Sequence, residues 1–82
     1  MSRYSQARLN KEAAGFEAEA KRAAAAARDG DRAAKDPNLD TYNQGVAARC
    51  AAIARSNARE YREIAAALRD GEIPEGVRLD LD

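Results

Sequence analysis

Apolar positions along the first third of the chain recur with helical spacing. Leu9, Ala13, Phe16, Ala20, Ala23 and Ala27 follow at intervals of 4, 3, 4, 3 and 4 residues, the heptad-like stripe of an amphipathic helix. Ser2 or Ser5 suits the N-cap, where a hydroxyl accepts from an unpaired backbone N–H of the first turn. Gly30, after Arg28 and Asp29, reads as the residue that ends this helix. Asp31–Lys35 can add a turn of helix before the chain breaks at Pro37, which disfavours helical backbone at Asp36.

A second stripe runs through Val46, Cys50, Ile53, Asn57, Tyr61, Ile64 and Leu68, preceded by Leu39 and Tyr42. Val46 to Asn57 and Asn57 to Leu68 each span 11 residues, a period of about 3.67 that keeps an apolar row nearly straight along a helix. Two starts fit. Asp36 caps with Pro37 at the first helical position, or Thr41 to Gln44 forms a capping box. Gly71 after Asp70 is the natural stop. Beyond it, Ile73–Gly76 reads as a turn and Val77–Asp82 alternates apolar and charged like a strand without a partner.

This pattern predicts an all-α fold in one small domain, 1–82: an antiparallel two-helix hairpin with long alanine-rich helices at about 3–29 and 38–70, and an extended acidic tail over 71–82. Folding back about the Gly30–Pro37 connection sets Phe16 opposite Cys50, Ala51 and Ala54. It sets Ile53 against Ala13 and Ala14, Val46 against Ala20, and Tyr42 against Ala23. Large residues then meet small ones, as dense packing requires. Gly15 and Gly45 each cost about 1 kcal/mol inside a helix, so a close approach of a backbone or ring is expected at both.

Alanine content adds a constraint. Alanine is the best helix former, yet one buried methyl stabilises by only about 0.8 kcal/mol. A chain near 70–80 residues has little core to begin with. With Cys50 the sole cysteine and no histidine, neither a disulfide within the chain nor a His/Cys zinc site can help. Dimerisation into a helical bundle is therefore expected. No run approaches the 18 apolar residues of a membrane span, so no membrane partner is expected. Met1–Lys11 has no apolar run fit for a signal peptide, so a cytoplasmic location is the expectation.

Catalytic chemistry finds little support. There is no histidine to serve as a general base. Glu17 and Glu19 fall on different sides of a helix, and Glu60 and Glu63 alternate with Arg59 and Arg62 as a solvated ion-paired face would. Cys50 reads as a small core residue. No glycine-rich phosphate loop is present. No catalytic residue, metal or cofactor is expected.

The candidate surface is a row of arginines. Arg55, Arg59 and Arg62 recur at spacings of four and three, Arg69 continues their side, and Tyr61 flanks them. Arginine and tyrosine are the types enriched at interface anchors. The tail supplies Glu72, Glu75, Asp80 and Asp82 as a second set of contacts, or as an internal clamp on the basic N-terminal end. The formal net charge of zero argues against a protein built mainly for nucleic acid. The expected partner is another protein, or a second copy as a homodimer, with nucleic acid the secondary expectation. A small regulator or inhibitor of the phage or mobile-element type fits this description, as does a structural oligomerisation unit.

Overall fold

The computed structural model describes residues 4–79. Two α-helices of 29 residues each, α1 (Gln6–Ala34) and α2 (Thr41–Arg69), pack against each other as an antiparallel hairpin. Among the described residues there is no strand, and no helix is long and apolar enough to cross a membrane.

The first helix starts where Ser5 Oγ accepts from the Arg8 N–H at 3.1 Å; Ser2 lies outside the described residues. It does not stop at Gly30. Helical backbone continues to Ala34, and the Lys35 N–H closes the last turn on the Arg32 carbonyl at 3.1 Å. Gly30 serves the neighbouring helix instead. A Cβ there would lie 2.9 Å from Ala51 Cβ and 3.0 Å from the Ala47 carbonyl oxygen, closer than a methyl group tolerates. At Gly15 a Cβ would meet nothing within 4 Å, and at Gly45 only Arg49 Nη1 at 3.7 Å. The close approach expected at those two glycines occurs at Gly30.

The second helix is capped by neither expected residue. Asp40 Oδ1 accepts from the Asn43 N–H at 2.7 Å. Asp36 shapes the loop: its carboxylate accepts from the Asn38 N–H at 2.9 Å and its carbonyl from Gln44 Nε2 at 2.8 Å. At the far end Gly71 adopts φ +86°. The Glu72 N–H reaches the Ala67 carbonyl at 2.9 Å and the Gly71 N–H the Leu68 carbonyl at 3.0 Å, a Schellman closure that glycine permits without strain. Gln6 Nε2 donates to the Leu68 and Arg69 carbonyls at 3.1 and 3.2 Å. The first turn of α1 thus caps the last turn of α2.

Because the connection spans 35–40 rather than 30–37, the register differs from expectation by about three turns of α2. Phe16 lies beside Tyr61, ring centroids 6.2 Å apart and planes tilted by 35°, not beside Cys50, Ala51 and Ala54. The buried positions are Leu9, Ala13, Ala20 and Ala27 on α1 with Ala51, Ala58, Ala65 and Leu68 on α2. Ala13, Ala20 and Ala27 are seven apart, as are Ala51, Ala58 and Ala65. The seam is two antiparallel rows of alanine.

Larger apolar side chains gather at the open end. Leu9, Ala13, Ala65 and Leu68 form a cluster with Tyr4, Phe16, Ile64 and Leu79 packed on it. Ile53, expected in the core, is 62% exposed, Tyr42 is 73% exposed, and Cys50 is exposed rather than a core residue. The reason is one of period. The 3.67-residue stripe stays straight on α2, whereas a seven-residue seam drifts about 20° per heptad around a helix. Stripe and seam share Leu68, with half-buried Ile64 packed beside it, and have parted by Ile53. The molecule measures 54 × 22 × 18 Å, with a radius of gyration of 16.5 Å against about 12 Å for a compact chain of this length.

Candidate partner-binding trough

The seven-residue repeat that buries alanine also sets Arg55, Arg62 and Arg69 in line along one flank of α2. Facing them, Glu17, Lys21, Ala24, Arg28 and Asp31 follow at spacings of 4, 3, 4 and 3 on α1. A trough lies between. Its wider half, about 650 Å³, has a floor of Ala20, Ala24, Ala65 and Ala66 between walls of Glu17, Lys21, Arg62 and Arg69. Its narrower half, about 220 Å³, continues over Ala27 and Ala58 to Arg28, Asp31 and Arg55. Ala24 and Arg62 border both halves, so the trough is continuous.

Each end is closed by an ion pair between the helices. Arg69 donates from Nε to Glu17 Oε2 at 2.9 Å and from Nη2 to Oε1 at 2.7 Å, the bidentate geometry that favours arginine over lysine. Those hydrogen bonds hold the Glu17 carboxyl below its ordinary pKa, and Glu17 in turn raises that of Arg69. At the other end Arg55 Nη2 donates to Asp31 Oδ2 at 2.6 Å. Between the ends, Lys21, Arg28 and Arg62 make no ion pair among the described residues. Five basic and two acidic groups line the trough. The chain as a whole is neutral, so the compensating acids sit elsewhere.

Of the residues singled out from sequence, Arg55, Arg62 and Arg69 come together in this trough. Arg59 and Tyr61 stand outside it: Arg59 is exposed, and Tyr61 is half-buried against Phe16. Glu75 meets Glu60 and Glu63 around Ile64, Pro74 and Val77 in a separate hollow of about 320 Å³. Glu72 is exposed, and Asp80 and Asp82 lie outside the described residues. The acids paired with Arg69 and Arg55 are Glu17 and Asp31 of α1. Lys21 and Arg28 were missed, although their heptad spacing with Glu17, Ala24 and Asp31 was available to find them. Among the described residues no three of the potential metal-ligating side chains are grouped to hold an ion.

No family model, curated protein or solved structure matches this chain, so the functional reading rests on the geometry.

Proposed function

We propose that this protein acts by binding another protein, as a small non-enzymatic helical regulator or inhibitor of the kind carried by mobile elements. One observation carries the reading. Five basic groups against two acidic ones line an alanine-floored trough that is open to solvent between two helices. Small floor residues admit the side chains of a docking partner, and guanidinium walls supply directional contacts to carboxylates.

Photo-crosslinking in the source cells tests this reading. A benzophenone amino acid at Lys21 or Ile53 marks the trough and one other face. One protein captured at stoichiometric yield from one of these positions is the expected result. Capture of nucleic acid alone, or of nothing from any face, removes the reading.

A second reading is self-association, favoured by the row of exposed Tyr42, Cys50 and Ile53 with half-buried Val46 on α2. Light scattering at micromolar concentration decides it. A mass of twice 8.9 kDa supports a dimer, and a mass of 8.9 kDa removes it.

A further inference from the structure

The occupant of the trough can be specified further. From Arg55 to Arg69 the trough follows fourteen residues of α2, about 21 Å, the length of a four-turn helix. Its floor contains no side chain larger than a methyl group. A flat alanine floor offers little to an extended peptide, which needs an unpaired strand edge for its backbone. It does suit a helix, whose large apolar side chains can interdigitate with small ones below. Each helix of the hairpin contacts one neighbour, and a helix laid in the trough would contact both.

Charge selects the kind of helix. The two acids lining the trough are taken up by Arg69 and Arg55 at its ends. Arg28 on one wall and Arg62 on the other face the central section without ion pairs among the described residues, and the one acid near Lys21 is Glu17, already held by Arg69. A helix entering between them meets cations on both sides. Carboxylates flanking its apolar stripe would pair with those walls, whereas lysines there would be repelled.

We infer that the trough between α1 and α2 receives an acidic amphipathic helix of a partner protein, completing a three-helix bundle. This rests on the protein-binding reading above.

The test uses the full chain and a display library of helical peptides of about 18 residues, with apolar positions at heptad spacing and flanking positions randomised. Selected peptides are expected to carry Glu and Asp in excess of Lys and Arg at the flanking positions. Their affinity should fall at least tenfold on Arg62→Glu and on Ala24→Gln. It should stay within twofold on Ile53→Ser and Arg59→Ala. Circular dichroism verifies that each variant retains its helices.

Neutral or basic selected peptides overturn the inference, as does binding lost on Ile53→Ser but kept on Ala24→Gln. A 20-base-pair DNA duplex that binds more tightly than any selected peptide, through Arg62 and with a steep salt dependence, overturns it too. Failure here is separable from failure of the protein-binding reading. A partner protein crosslinked from Ile53, with no acidic helices selected, sinks the inference and leaves that reading standing.

Discussion

Gly30 and Ala51 lie closer than two alanines could, since a methyl group on Gly30 would fall 2.9 Å from the Ala51 methyl. The first consequence is a reversal of ordinary helix propensity. Gly15→Ala meets nothing within 4 Å and is expected to stabilise by about 0.5–1 kcal/mol through lower unfolded-state entropy. Gly30→Ala gains the same propensity but must push backbone and Cβ apart, a strain of about 1–3 kcal/mol. Thermal melts of the two variants should shift in opposite directions. A rise in Tm for Gly30→Ala would refute the close approach.

The register can be measured directly. Gly30 packs against Ala51, so Cys50 lies near the level of Arg28. Spin labels at Cys50 and Arg28→Cys should give a distance shorter than labels at Cys50 and Gly15→Cys. The two α1 positions differ by about 20 Å along the axis. The opposite order would restore a fold-back about Gly30–Pro37.

Core substitutions should separate the seam from the exposed stripe. Leu68 is fully buried, so Leu68→Ala should cost about 2–4 kcal/mol, enough to unfold much of so thin a molecule. Ile53→Ser should change stability by less than about 0.5 kcal/mol. Urea titrations give both values, and comparable losses would place Ile53 in a core.

The Glu17–Arg69 pair predicts an acid dependence. The folded state depresses the Glu17 pKa. Glu17 therefore contributes stability above the unfolded-state value of about 4.3, lost as pH falls through the lower folded value. Glu17→Gln should flatten the decline in Tm below about pH 4.5 and leave the profile between pH 6 and 8 parallel to that of the parent. A decline unchanged by the substitution would show that the pair does not hold in solution.

The tail has a packing role that truncation should expose. Leu79 packs on the Leu9–Leu68 cluster, and burying a leucine fully stabilises by about 1.5–3 kcal/mol. A chain ending at Gly71 should lose about half of that, because Leu79 is half-buried. Equal stability of the two chains would show that the tail contributes nothing to the fold.

Much of the fold is legible in the residues. Leu9, Ala13, Ala20 and Ala27 announce the buried face of α1, and Gly71 the end of α2. The reading of α2 failed for a definite reason: its largest apolar residues trace one stripe while Ala51, Ala58 and Ala65 trace another. Ranking by hydrophobicity favoured Ile53 and Val46 over alanines, although methyl groups alone let two helices come this close. At the site, the arginine row was legible as charge, but not its pairing with Glu17 and Asp31.

By itself, then, the sequence determined two long helices, the Ser5 start of the first, the Gly71 stop of the second and their antiparallel return, since propensity and local hydrogen bonding act within a few residues. Tertiary structure alone decided where the chain turns and which of two stripes is buried. An alanine-rich helix fits a neighbour at several offsets with nearly equal burial. The choice among them falls to a few specific contacts: Gly30 against Ala51, Phe16 against Tyr61, and Gln6 on the carbonyls of Leu68 and Arg69.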